Sequence, residues 1–322
     1  MKTVGITGPS GSGKTALWRA ISGLKAVGDV ATVAVPDPRL DKLSELHASK
    51  KTVYAQVEVV DVHANARTAA AANAKLRNMD ALLIVVPGFG GQDGAKALDA
   101  MKDELLLADM GPIENRLAKA KRDPAAKAEL PVLGVALEHL NNGEFLSTRT
   151  WEKEELAVFS ALAPVTLKPM IVVYNVDEDA LDATMEAPGF TVITVPALLE
   201  AEVAGLGPEE SKELLGAYGV EEPVMGRVIQ EVYRSLDLIT FFTTGEDESR
   251  AWELKRGATA PEAAGAIHTD IQRGFIRAEV VSYDELVAAG SWDKAKAAAK
   301  IRVEGKDYIF KEGDCTNFRF NV

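Results

Sequence analysis

Short apolar runs alternate with helix-patterned stretches through the first two hundred residues. KTVGITG (2–8), ATVAVPD (31–37), TVYAQVEVVD (52–61), ALLIVVPGF (81–89), KPMIVVYN (168–175) and FTVITVPA (190–197) read as strands. Several are β-branched and nearly continuous, the pattern of strands buried on both faces. With helices between them they predict a mostly parallel α/β sheet. Between the fourth and fifth runs, residues 94–164 are helical in pattern. Leu98, Met101, Leu105 and Ala108 step at three and four, giving one apolar stripe. Gly111-Pro112 is expected to interrupt that helix, with Pro112 starting a new one. Asp123-Pro124 reads as a cap and first-turn proline, and Asn142-Gly143 as a stop. Thr150 is placed to cap a third helix, with Glu152, Glu154 and Glu155 in its first turn. The stretch reads as an inserted helical hairpin. Lys119, Lys121 and Arg122 fall at its tip, as a solvated end or a contact for a nucleic-acid backbone. Beyond residue 236 the texture shifts to short strands and turns, with helical patterns at 260–274 and 293–300. That predicts a small α+β domain.

Composition narrows the class. The 322 residues are 47% apolar and 26% charged, ordinary for a soluble globular protein with a sizeable core. Lys and Arg number 36 against 48 Asp and Glu, a net charge of −12. That balance argues against a broad, nonspecific grip on nucleic acid. The single cysteine, Cys315, excludes an intramolecular disulfide and fits a reducing cytoplasm, where it reads as a small filler near a strand end. No signal segment and no membrane-spanning apolar run is read.

The candidate chemistry lies at the first strand's end. Gly8-Pro9-Ser10-Gly11-Ser12-Gly13-Lys14-Thr15 fits G-x-x-x-x-G-K-[ST] in full, between a strand and a helix. Gly11 and Gly13 let successive N–H groups turn inward onto phosphate oxygens, and the following helix adds its positive end. The expected nucleotide contacts are Ser10, Gly11, Ser12, Gly13, Lys14, Thr15 and Ala16. Lys14 would serve the β- and γ-phosphates, and the Thr15 hydroxyl a Mg²⁺ ion. Asp61 ends the strand VEVVD, where a carboxylate can hold a metal-bound water or simply cap the next turn. Asn175 and Glu178 in YNVDE sit at another strand's ligand end, to meet a base or to form an Asx turn.

VPDPRLDKL (35–43), ELLLADMGPIENRL (104–117), TLKPMIVVYNVDE (166–178) and LITFFTTGEDESRAWELKRGATAPEAAGAIHTDIQRGFIRAEVVSYDEL (238–286) resemble the Obg-like ATPase family of the YchF type. So does the ending EGKDYIFKEGDCTNFRFNV (304–322). The resemblance covers nearly the whole chain. It implies a P-loop NTPase domain in two parts (1–93 and 165–236), a helical insertion (94–164) and a C-terminal TGS module of β-grasp fold (237–322). It further implies a translation-factor-class protein in the cytoplasm, associated with ribosome or RNA. Asn175-Val176-Asp177-Glu178 matches the family's N-x-x-E variant, associated with ATP accepted in preference to GTP. Asn175, Val176 and Glu178 carry over as base-site residues, as does Ala197 in VPALLEAE, although Pro196 replaces the family's usual Ser.

Two departures bear on hydrolysis. The family carries a switch I loop with a Mg²⁺-binding Thr before PDPRL, and here only LKAVGDVATVAV separates Gly23 from Pro36. The switch II pattern D-x-x-G reads Asp61-Val62-His63-Ala64, so a glycine that donates to the γ-phosphate has become Ala64. Asn65, with His63, is the candidate for positioning the attacking water. Binding should survive these changes better than turnover, because the phosphate loop is whole. The resulting expectation is a slow ATPase, with a non-hydrolysing nucleotide-binding scaffold for a ribosomal or RNA partner as the alternative. A small-molecule kinase is the remote third reading, suggested by GPSGSGK alone. In the C-terminal segment His268 reads as a partly buried imidazole bonded to backbone, and Trp252, Phe275 and Tyr283 as core. That segment has 12 Lys and Arg against 15 Asp and Glu, so an RNA contact there would need segregated charge or stacking.

Overall fold

The run Ala81–Pro87 (ALLIVVP) is buried at all seven positions, as a strand must be when helices cover both faces of its sheet. In the computed structural model, which describes residues 1–23, 28–62 and 69–321, this strand lies in the middle of the first of two sheets. The chain runs β1 (Lys2–Thr7), α1 (Lys14–Ser22), β2 (Val30–Ala34), α2 (Pro38–Leu46), β3 (Thr52–Val53), β4 (Gln56–Asp61), α3 (Ala69–Arg77) and β5 (Ala81–Pro87). It continues through α4 (Gly94–Ala120), α5 (Leu130–Asn141), α6 (Lys153–Phe159), β6 (Met170–Asn175), β7 (Thr191–Val195), α7 (Ala197–Val203), α8 (Pro208–Ala217) and α9 (Met225–Ser235). The remainder is β8 (Leu238–Thr243), β9 (Ser249–Lys255), α10 (Ala260–Ile267), α11 (Thr269–Arg273), β10 (Phe275–Ser282), α12 (Tyr283–Ala289), α13 (Trp292–Ala297), β11 (Arg302–Glu304) and β12 (Asp314–Phe320). The expected mixed α/β architecture is the observed one.

Two compact units divide the chain: residues 1–33 with 58–232, and residues 34–57 with 233–322. In the first unit the sheet order is β2-β4-β1-β5-β6-β7, and the β1–β5, β5–β6 and β6–β7 pairs are parallel. Parallel pairing brings the ends of these four strands, Thr7, Pro87, Asn175 and Val195, to one edge. β1 lies between β4 and β5, so successive crossovers leave it in opposite directions. The C-terminal end of β1 is thereby the switch point outside which open α/β sheets bind ligands. The core joins sheet residues such as Leu82, Ile84 and Val172 to Leu98, Met101 and Leu105 of α4 and to Leu133, Trp151 and Phe159 of the insertion.

Pro112 does not end a helix. α4 is continuous over 27 residues with Pro112 inside it, which corrects the expected break. A helix-interior proline removes one N–H and leaves the carbonyl four residues earlier without its partner. That carbonyl belongs to Ala108, and the Arg77 guanidinium donates to it at 2.5 Å. The same guanidinium donates to Leu162 O and Ala163 O at 3.0 and 3.3 Å and lies 3.0 Å from the Asp109 carboxylate. Asp109 is fully buried and also accepts the Thr166 N–H and hydroxyl at 2.7 and 2.8 Å. One arginine thus repairs the helix and ties the insertion to the sheet.

The second unit is a six-stranded mixed sheet in the order β11-β10-β12-β8-β9-β3. β10 pairs antiparallel with β11 and β12, β12 runs parallel to β8, and β8 pairs antiparallel with β9. Its core gathers Ile239, Phe241, Leu254, Phe275, Val280 and Phe310. The expected strand over 52–61 is two strands: Thr52–Val53 pairs parallel with β9 in this sheet, and Gln56–Asp61 belongs to the other. Residues 34–57, read from sequence inside the first segment, are therefore hydrogen-bonded into the second unit. Arg39 of α2 grips Asp37 through two bonds, meets Glu312 at 2.5 Å and lies 5.1 Å from the Phe242 ring centroid. The helix expected over 260–274 is broken at His268, which is exposed rather than partly buried. Its Nδ1 accepts the Asp270 N–H at 3.1 Å and starts α11. Phe275 is buried, Trp252 packs against the same core, and Tyr283 is half-buried. Cys315 is buried in β12, and burial pushes its thiol well above the ordinary range.

Replacing Asp109 by Ala leaves a half-buried guanidinium and two Thr166 donors without their acceptor. The expected cost is about 3–5 kcal/mol, on the scale of breaking a buried pair. Chemical denaturation of the full chain reads this as a fall in the transition that unfolds the first unit.

Candidate functional site

The phosphate loop is built by backbone. Gly8 has φ 147° and passes so close to β5 that a Cβ there would sit 2.2 Å from Val85 O. Gly13 has φ 91°, and a Cβ would sit 2.0 Å from Asn175 Nδ2. Only glycine fits either position, which is the physical content of the motif. α1 starts at Lys14, so the N–H groups of its first turn have no partner within the helix. The Ser12 hydroxyl is fully buried and lacks a hydrogen-bond partner among the described residues. A concave loop with orphan donors and a buried unpaired hydroxyl fits an anion of phosphate size.

Lys14 Nζ donates to Gly8 O and Pro9 O at 2.8 and 2.6 Å, which folds its charge over the loop. Burial pushes the ammonium below the ordinary lysine range, while the carboxylates of Asp61 and Glu104 pull it back up. Glu104, on α4, was not anticipated from sequence. Asp61 is buried at the end of β4, and its N–H donates to Asp29 O at 2.9 Å. Thr15 is exposed in the first turn of α1, and Ser10 and Gly11 are exposed on the loop. A hydroxyl and a carboxylate are the hard oxygen donors that Mg²⁺ takes, the rest of its shell coming from phosphate and water. Ala16 is half-buried in α1.

Asn175 is the joint of the site. Its Nδ2 donates to Ser12 O at 3.0 Å, and its Oδ1 accepts the Ala197 N–H at 3.0 Å. The expected base contact is thus engaged at both ends in holding the phosphate loop to the start of α7. Val176, expected at the base site, has a buried side chain, and its N–H donates to Val195 O at 3.0 Å. Glu178 is half-buried and Ala197 fully buried. His63, Ala64 and Asn65 lie outside the described residues. Among the described residues no three His, Cys, Asp or Glu cluster as a metal site, and no helix is long and apolar enough to cross a membrane.

Comparison with known proteins places this geometry. A family model named YchF-GTPase_C, described as "Protein of unknown function (DUF933)", matches residues 238–321. The ribosome-binding ATPase YchF of Escherichia coli O157:H7 is 36% identical over 358 aligned positions, covering 99% of each chain. The chain belongs to the YchF family. The protein of the same name from Bacillus subtilis is 34% identical, again over 99% of both chains. The structure of the Schizosaccharomyces pombe YchF GTPase matches with a TM-score of 0.90 at 27% identity, over 99% of this chain and 97% of that one. A GTP-binding protein from Pyrococcus horikoshii shares the fold, at a TM-score of 0.63 and 20% identity.

Within the YchF family this is a shortened member. The 358 positions aligned to the E. coli protein exceed the 322 residues of this chain, so at least 36 of them are filled by that protein alone. Only residues 23–29, GLKAVGD, join α1 to β2, and they contain no Thr or Ser.

Two outcomes follow from the loop. Asn175→Asp sets a carboxylate oxygen against Ser12 O, leaving both unsatisfied at about 1–3 kcal/mol. Affinity for ATP and for GTP is expected to fall alike, about tenfold or more, in a fluorescent-nucleotide titration. Nucleotide affinity is also expected to decline as pH rises through the lowered free-state pKa of Lys14, because only the ammonium form attracts phosphate. That decline starts below the ordinary lysine value of 10.5, and a series of titrations against pH measures it.

Proposed function

We propose that this chain binds ATP through residues 8–16, hydrolyses it slowly and associates with ribosomes. The observation that carries the reading is the whole phosphate cradle, with its buried Ser12 hydroxyl and inward-held Lys14. It occurs in a chain aligned end to end with proteins named ribosome-binding ATPase. The N-x-x-E sequence at 175–178 supports adenine over guanine, with Glu178 as the base-reading group. Asn175 and Ala197 hold the loops that frame it.

Thr15 and Asp61 are the groups that would hold Mg²⁺, which when bound neutralises charge on the phosphate oxygens. The chain's own residues bind and orient: loop N–H groups and Lys14 hold the phosphates, and Asn175 keeps the loop in shape. Nothing in residues 23–29 supplies a second metal hydroxyl, and Ala64 replaces the D-x-x-G glycine, whose backbone freedom turns its N–H to the γ-phosphate. Transition-state stabilisation of phosphoryl transfer comes from such groups. Affinity is therefore retained while turnover is low. The same sequence changes favour, as a second reading, a nucleotide-binding scaffold without turnover.

Titration with ATP, ADP and GTP in magnesium, phosphate release by wild type and Lys14→Ala, and co-sedimentation with ribosomes test both. The expected result is ATP bound more tightly than GTP, ATP and ADP within a few-fold, slow release lost in Lys14→Ala, and sedimentation with ribosomes. Equal release by wild type and Lys14→Ala with nucleotide still bound selects the scaffold. Absence of any nucleotide affinity rejects both.

A further inference from the structure

Asp29 closes the short segment between α1 and β2, and it makes two contacts that the nucleotide reading leaves unused. Its carbonyl oxygen accepts the Asp61 N–H at 2.9 Å, which sets it against the strand end that carries the metal-side carboxylate. Its Oδ2 meets Lys75 Nζ at 2.8 Å, with the two side chains 26% and 33% exposed. Lys75 stands in the last turn of α3. One residue therefore ties together the start of β2, the end of β4 and a helix from the far side of the Asp61 loop. An ion pair this far out of water is screened less than one on the surface. Residues 23–29 offer no metal-binding hydroxyl, so what fixes the metal side of the site has to come from elsewhere in the chain.

We propose that Asp29 and Lys75 are positioning residues that hold Asp61 in place for the magnesium side of the nucleotide site. The proposal rests on the reading of Asp61 given above. The clamp is made wholly of protein groups, one backbone bond and one ion pair, and neither needs a γ-phosphate. It therefore supports magnesium-dependent affinity to the same extent for a nucleoside diphosphate and a triphosphate. A plain structural brace, with Lys75 merely complementing the helix end, would change stability and leave the magnesium dependence alone.

The test compares full-length wild type, Lys75→Gln and Lys75→Arg in titrations with ADP and with ATP, each in magnesium and in EDTA, alongside denaturation midpoints. Lys75→Gln is expected to narrow the ratio of EDTA to magnesium Kd by about fivefold, the scale of a strong partly exposed pair. The narrowing should be equal for ADP and ATP, with affinity in EDTA unchanged. Lys75→Arg should restore the wild-type ratio. An unchanged ratio in Lys75→Gln, with or without a lower midpoint, overturns the proposal, as does a loss confined to ATP or a failure of Lys75→Arg to restore it. Wild type that binds no nucleotide overturns the reading of the site itself, and this proposal with it.

Discussion

A single buried carboxamide holds the candidate site together. Asn175 sits at the end of β6 and spans from the phosphate loop to the first turn of α7, one hydrogen bond on each side. The span exists only because Gly13 has no side chain, since the amide occupies the space where a Cβ would be. A buried amide satisfied at both ends is rigid, and it costs little because neither pole is left unpaired. The loop's inward curl, the start of α1 and the start of α7 are thereby set relative to one another by the fold itself. A ligand meets a cradle already formed.

That cradle needs a stable sheet edge beneath it, and the insertion could have undermined one. Residues 94–164 interrupt the chain between β5 and β6, two neighbouring strands. Arg77 resolves the tension from outside the insertion. It stands at the end of α3 and engages Ala108, Asp109, Leu162 and Ala163 at once, so both limbs of the insertion are fastened at its base. Asp109 then holds Thr166 just ahead of β6. The insertion's own apolar residues pack into one core with the strands, so its helices are an outgrowth of the nucleotide-binding unit's interior.

The parts legible in the sequence share a property: their cause is local. Continuous β-branched runs gave the buried parallel strands, and the glycine spacing gave the phosphate loop, because both are statements about a few consecutive residues. The parts that were not legible depend on partners far along the chain. Pro112 reads as a helix break on every local rule, and only an arginine 31 residues before Ala108 lets the helix continue. Thr52–Val53 is too short to announce a strand, and its partner β9 lies some two hundred residues on. Asn175 is expected from its motif to meet a base, and the bonds its amide makes to Ser12 O and the Ala197 N–H were not legible, since a motif names the residue and not the atoms it faces. His268 shows the local rules competing with themselves: the apolar pattern runs through it, yet its ring caps the next helix better than the helix continues.

The same distinction orders the functional argument. The phosphate side of the site is made of one contiguous loop and one amide, so shortening the chain elsewhere leaves its geometry intact. The metal side, on the proposed reading, draws on Asp61 and its flanks, and residues 23–29 contain no Ser or Thr. Binding energy for a nucleotide is concentrated on the first side, and acceleration of phosphoryl transfer on the second. On the proposed reading, changes on the Asp61 side therefore bear on rate more than on affinity.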